Sequence, residues 1–341
     1  MTSPAPTAAE ADAITRRITT LSVGTAVVLI ALKAFALGAS GSVSILASLA
    51  DSSLDLAASL VTFFAVRWAA APPDAEHRFG HGKGEAMAAL VQAGLILASA
   101  VFIGLEAIQR MFDPRPVAAG GWAVGVILIS IVVTGGLIWM QDRAIKATGS
   151  LAVAGDRSHY AADLAAGVVV LIGVISGAWL KAPGLDAAAG LVVAVWLFWG
   201  AFGLLRSAAD PLLDRSVGDT ERSAITTAVL ADARIGGVHA LRTRAVGPVT
   251  MIQMHVDLEP SLSLADAHDI LVAAEDRIRA AVPRADILIH PDPRGAVRRV
   301  QPADQAEGQA SPDAPDAAPA VASDAAPSDA AQKPAHKGPW A

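Results

Sequence analysis

VSILASLADSSLDLAASLVTFFAVRWA, residues 43–69, is long and apolar enough to cross a bilayer as one helix, yet it carries two carboxylates, Asp51 and Asp55. A spanning helix needs about 20 mostly apolar residues. The two acids are four residues apart and fall on one helical face. A charge at the centre of a spanning helix costs roughly 2.5–3.5 kcal/mol on insertion scales, so such residues face a polar cavity or a partner. Roughly two turns separate Asp51 from the break GASGS, and more than two separate Asp55 from the loop on the other side. A solvated pair near the membrane surface is therefore the weaker reading.

Working outward, five more runs have the same character, giving six candidate spans at 16–37, 43–69, 86–111, 118–142, 153–180 and 186–206. The breaks carry turn chemistry: GASGS, APPDAEHRFGHGKGE, DPRP and KAPG. The whole chain agrees, with 53% hydrophobic residues and a mean hydropathy of +0.48, too apolar for an ordinary soluble domain. The spacing predicts an all-α six-helix bundle over 14–208, after a disordered N-terminus at 1–13. That N-terminus is polar and lacks the apolar core of a cleavable signal peptide. An even number of spans puts both chain ends on one side. Arg16, Arg17, Arg67, Arg78, Lys83, Arg143, Lys146, Arg157 and Arg206 fall on that side, against Arg110, Arg115 and Lys181 on the other. The positive-inside bias makes the termini and the His-rich loop cytoplasmic, in a multi-pass protein of the inner membrane. Lys33 lies toward the outer end of the first span, where it can snorkel. Glu106 and Arg110 have the i,i+4 spacing of a local ion pair.

After residue 208 the pattern changes. DTERSAITTAVLADA reads as a helix, VHALRTRAV and VTMIQMHVDL as strands around a Gly-Pro turn, SLADAHDILVAAEDRIRAAV as a helix with a capping-box start, and ADILIH as a last strand. In the second strand Ile252, Met254, Val256 and Leu258 share one face, with Gln253, His255 and Asp257 on the other. The order αββαβ predicts a small α+β layer domain over 209–295. Residues 296–341 are an acidic, Ala/Pro-rich tail with few bulky apolar residues and are expected to be disordered. Net charge is −6 and no basic footprint for nucleic acid is present. There is no Cys, which excludes disulfides and thiolate ligands.

A second span matches the first pair of acids. In DRSHYAADLAAG, His159 and Asp163 also stand at i,i+4. Two helices each offering two inward ligands would make a cage of Asp51, Asp55, His159 and Asp163. One imidazole with carboxylates suits zinc, and the same donors accept Fe2+, Cd2+, Mn2+ or cobalt. Lys83 and Asp214 are opposite charges at the membrane-to-domain junction, in position for a salt bridge, within a chain or across a dimer.

These motifs together resemble the cation diffusion facilitator family. SGSVSILASLADSSLDLAAS, HRFGHGKGE and HYAAD occur in order, followed by VHALRTR, IQMH, DAH and IHPDP, over residues 14–294. The resemblance implies a six-helix transporter with a cytoplasmic metallochaperone-like (ferredoxin-like) domain, assembled as a homodimer. It implies export of zinc or a related divalent ion in exchange for protons, with no enzymatic activity. It assigns the cage above as the transport site. It carries a loop zinc site to Asp74, His77 and His81, against the alternative of a solvated basic loop at the lipid headgroups. It carries a metal site in the soluble domain to His239, His255, His268, His290 and Asp292, structural or regulatory, against the alternative of scattered surface histidines. Glu85, opening the third span, suits the helix dipole better than ligation. A membrane-anchored metal sensor or storage protein is the competing reading. It accounts for the soluble domain but not for carboxylates in the bilayer. An intramembrane metallopeptidase would need a His-Glu-x-x-His helix, which the chain lacks.

Overall fold

A computed structural model describes residues 7–40, 43–113, 121–175 and 185–295. Six long helices come first: α1 (Ala8–Ser40), α2 (Val43–Ala69), α3 (Gly84–Phe112), α4 (Gly121–Thr148), α5 (Leu151–Ile175) and α6 (Leu185–Leu212). All six are long and apolar enough to cross a membrane. Helix α7 (Asp219–Leu230), strands β1 (Gly237–Val246) and β2 (Val249–Leu258), helix α8 (Leu264–Ala281) and strand β3 (Ala285–Pro293) follow.

The helices pack through small residues. On α6, Ala187, Ala194, Ala201 and Ala208 recur every seventh position and all are buried. Ala201 and Ala208 pack with an Ala-rich stripe on α3 that includes Ala89, Ala93 and Ala100, and Ala194 faces Gly104 of α3, where a Cβ would stand 3.5 Å from the Ala194 Cβ. Small residues let backbones approach, which is what holds helices together where lipid supplies no hydrophobic drive. Gly155 does the same for α5, because a Cβ there would stand 3.0 Å from the Gln92 Cβ and 3.3 Å from the Ala89 Cα.

A buried polar knot joins the other four helices. The Asp156 carboxylate of α5 accepts from Ser59 Oγ of α2 at 3.1 Å and from Gln141 Nε2 of α4 at 2.8 Å. Gln141 also donates to Ser22 Oγ of α1 at 3.1 Å, and Tyr160 donates to the Ser22 carbonyl at 3.0 Å. Each neutral donor offsets part of the cost of burying this carboxylate.

The C-terminal domain is a three-stranded sheet in the order β1-β2-β3. The first pair is antiparallel and the second parallel. Gly247 turns the hairpin in the left-handed region at φ +57°. Ile252, Met254, Val256 and Leu258 of β2 are buried against Ile225 and Val229 of α7 and Ile270, Ala274 and Ile278 of α8. The face predicted from alternation is the core face, and α8 presents its i,i+4 apolar stripe to it. The Ser263 hydroxyl caps α8 by accepting from the Asp266 N–H at 3.2 Å.

Several ends differ from the sequence expectation. Residues 8–13, expected to be disordered, form the first turns of α1. The cause is a capping box: the Thr7 N–H donates to Glu10 Oε2 at 2.8 Å and the Glu10 N–H to Thr7 Oγ1 at 3.4 Å. Helix α4 runs on to Thr148 and α6 to Leu212, past residue 208. Residues 118–120 and 176–180 of the fourth and fifth candidate spans, Arg115, Lys181 and the tail 296–341 lie outside the described residues. Lys33 does not snorkel. It turns into the bundle and reaches α2, where Nζ donates to Ser52 Oγ at 2.5 Å and to the Ser48 carbonyl at 3.2 Å. Glu106 and Arg110 form their local pair at 2.8 Å.

Candidate metal centres

Helices α2 and α5 bring Asp55, His159 and Asp163 together, each offering one ligand atom within 4.8 Å of the others. His159 Nε2 is 3.2 Å from Asp55 Oδ1 and 3.8 Å from Asp163 Oδ2. Asp55 and His159 are both 7% exposed. His159 Nδ1 and Asp163 Oδ2 are buried without a hydrogen-bond partner in the protein. Buried lone pairs left unmatched in this way are costly, and a cation would satisfy the carboxylate oxygen. Asp51, one turn from Asp55 toward the end of the bundle away from the C-terminal domain, is exposed and stands outside this group. The four expected ligands are therefore three gathered side chains and one neighbour.

The loop after α2 gathers Asp74, His77 and His81 within the same 4.8 Å limit. Asp74 Oδ1 accepts the backbone N–H of His77 at 2.6 Å and of Glu76 at 2.9 Å. The His77 amide holds the Asp74 carboxyl below the ordinary carboxylate range, with the Glu76 amide and the two imidazoles assisting against partial desolvation. His81 Nε2 lies 3.3 Å from Asp74 Oδ2, and the two imidazole rings are 4.6 Å apart. Trp68, at the end of α2, packs its ring on both histidines. Glu85, expected to serve the start of its own helix α3, reaches instead to the start of α5, where it accepts from Ser150 Oγ at 2.6 Å.

In the C-terminal domain the strand register aligns His239 with His255 and His255 with His290. Three adjacent strands thus carry one row of imidazoles on the face opposite the core. Asp292 ties the row together: its Oδ2 lies 3.1 Å from His239 Nε2 and 2.9 Å from His255 Nδ1, and its Oδ1 lies 3.3 Å from His290 Nε2. Burial alone would push the Asp292 carboxyl up, but the hydrogen bond and charge of His255, with His290 and His239, hold it below its ordinary value. His239, His255 and Asp292 meet the distance limit for a metal group. Asp257, 3.7 Å from His239 Nδ1, borders the row. Sequence reasoning placed it on the His255 face but assigned it no role. His268 does not join them. It is exposed on α8, which packs on the opposite, apolar face of the sheet.

The junction pair forms within one chain. Lys83 Nζ donates to Asp214 Oδ1 at 2.8 Å, and Arg244 of β1, which sequence reasoning missed, donates to Asp214 Oδ2 at 3.1 Å. The Lys83 hydrogen bond, with Arg244 beside it, holds the Asp214 carboxyl below the ordinary range. Beside this clasp the loop and the hairpin touch backbone to backbone. A Cβ on Gly82 would stand 2.8 Å from the Gly247 nitrogen and the Val246 carbonyl.

Comparison with known proteins covers both halves. Residues 19–213 match the cation efflux transmembrane domain, and residues 217–294 match the cytoplasmic domain of cation efflux proteins, ZT_dimer. The chain is 40% identical over 272 residues to the cation-efflux pump FieF of Pectobacterium atrosepticum, covering 80% of this chain and 90% of that protein. It is 39% identical over 274 residues to the protein of the same name from Shewanella oneidensis, covering 80% of this chain and 92% of that one. Among solved structures, the metal-bound C-terminal domain of the CzcD transporter from Thermotoga maritima covers 24% of this chain and 100% of its own, at 23% identity and a TM-score of 0.23.

Proposed function

Because the chain belongs to the cation efflux family, we propose that it carries zinc, or alternatively Fe2+, Cd2+ or Mn2+, out of the cytoplasm across the inner membrane in exchange for protons. The observation that supports this most directly is the meeting of Asp55, His159 and Asp163 inside the helical bundle. A sensor or store needs no ligands there, and a carrier does. Asp51, one turn away on the same helix, is the fourth ligand in this reading.

Exchange follows from the donor set. Metal binding requires deprotonated ligands and releases protons. Imidazole titrates near neutrality in its ordinary state. An ion arriving from the side of the C-terminal domain displaces protons from His159 and the carboxylates. Protons rebinding from the far side release it. The bundle rocks between the two openings around a fixed site.

The loop and sheet clusters fit resident zinc by their nitrogen and oxygen donors. Asp74, His77 and His81 would hold one ion, and His239, His255, His290 and Asp292 the other, with His268 available only from another copy or after rearrangement. Bound there, zinc supplies cross-linking rather than chemistry on a substrate. The matched ZT_dimer domain supports assembly as a homodimer with both termini cytoplasmic.

The test is transport by purified protein in liposomes loaded with a pH-sensitive dye, challenged with zinc, iron, cadmium and manganese in turn. Zinc-dependent proton counterflow is the expected result, and the panel ranks the ions. Metal flux without proton movement rejects antiport, and the absence of any flux rejects transport.

A further inference from the structure

Lys33 is a buried ammonium with no carboxylate at ion-pair distance among the described residues. It is 8% exposed, and its two acceptors are the Ser52 hydroxyl and the Ser48 carbonyl. A lysine this near the end of α1 has a stem long enough to reach the membrane surface. It reaches inward instead, although burial of a charge in the bilayer is costly. Its place explains what it gains. Ser52 stands between Asp51 and Asp55 on α2, and Ser48 lies one turn farther from the C-terminal domain. The ammonium thus flanks the carboxylate group on the side away from the C-terminal domain, without occupying a ligand position.

Charge balance then gives it a role. Asp51, Asp55 and Asp163 ionised carry three negative charges, His159 neutral carries none, and Lys33 returns one positive charge. Two negative charges remain, matched by one divalent cation. We propose that Lys33 is a tethered counter-cation that sets the membrane site to a divalent charge and weakens its hold on the ion, so that the ion can leave toward the far side. It is a positioning residue acting through the field at the ligands, as a fixed charge. The inference rests on the reading of Asp51, Asp55, His159 and Asp163 as the transport site.

The test compares zinc binding by calorimetry on the purified full-length protein, with Asp163→Ala identifying the component that belongs to the membrane site. Lys33→Gln keeps a donor for Ser48 and Ser52 but removes the charge, and Lys33→Arg keeps the charge. The expected result is that the Asp163-dependent affinity rises about tenfold or more in Lys33→Gln and stays within about twofold of wild type in Lys33→Arg. Zinc turnover in liposomes falls in Lys33→Gln. Unchanged or weaker binding in Lys33→Gln overturns the proposal, because a lysine serving only as a hydrogen-bonded strut would give that result. If Lys33→Gln does not fold, the double variant Lys33→Met with Ser52→Ala, which removes donor and acceptor together, carries the same expectation and the same refutation. A wild-type protein that binds zinc but moves none rejects antiport while leaving this comparison of affinities intact. A wild type with no Asp163-dependent binding rejects the transport site and this proposal together.

Discussion

At the scale of single residues, Asp163→Asn and His159→Ala are expected to reduce zinc flux in liposomes to the background of empty vesicles. Each removes one of the three side chains that are already gathered. Asp51→Asn is expected to fall short of that, with residual flux above background, since Asp51 stands outside the group. Equal loss in all three variants would mean that Asp51 is as central as the others. In the C-terminal domain, Asp292 bridges three histidines from three strands. Its carboxyl sits below its ordinary value when folded. A depressed carboxyl contributes stability that is present above the unfolded value and lost as pH falls through the folded one. Thermal melting of wild type should therefore drop more steeply below about pH 4 than melting of Asp292→Asn. The i,i+4 pairs of α2 and α5 were legible in the sequence because helical spacing fixes which side chains share a face. Spacing does not fix how far a helix is rotated toward its neighbour, so the outward position of Asp51 and the inward turn of Lys33 were not legible. Asp156 does leave a signal in the sequence, an acid three residues before His159 in an apolar helix.

At the scale of elements, the approach of α5 to α3 depends on one missing methyl. Gly155→Val places branched carbon against Gln92 and the Ala89 backbone and is expected to destabilise the membrane domain by about 1–3 kcal/mol, read as a lowered melting temperature in detergent. A melting temperature equal to wild type would show that the two helices can separate at no cost. Apolar length and turn residues marked all six long helices, and alternation in VTMIQMHVDL marked the buried face of β2 correctly. Polar composition points to disorder at the start of α1, yet the helix begins at Ala8. Thr7 and Glu10 form a capping box that extends the helix outward, and a four-residue signature of that kind outweighs composition at a helix end. The gathering of His239, His255 and His290 was not legible as geometry. Strand order and register create it, and both depend on pairing between segments distant in the chain.

At the scale of the whole molecule, the membrane bundle and the sheet domain meet at Gly82 and Gly247, beside the Lys83–Asp214–Arg244 clasp. Gly247→Ala is expected to force this contact open, since Gly247 has φ +57° and a Cβ there would meet the Gly82 Cα at 2.9 Å. Zinc flux should fall several-fold while zinc binding by the sheet cluster is retained, a split that calorimetry and liposome assays read separately. Loss of both would indicate misfolding of the hairpin rather than uncoupling. The sequence exposed the Lys83–Asp214 attraction but not its third member, because Arg244 lies on a strand whose edge faces the junction only after the hairpin forms. One feature of the bundle also limits how it can move. A single carboxylate, Asp156, is shared by strings of hydrogen bonds reaching α1, α2 and α4 from α5. None of those four helices can swivel alone without stranding a polar group in oil. Any turnstile motion must therefore carry the quartet as one block, and Gln92, which donates from α3 to the Ala58 carbonyl at 2.9 Å and to Thr62 Oγ1 at 3.0 Å, yokes α3 to that block as well.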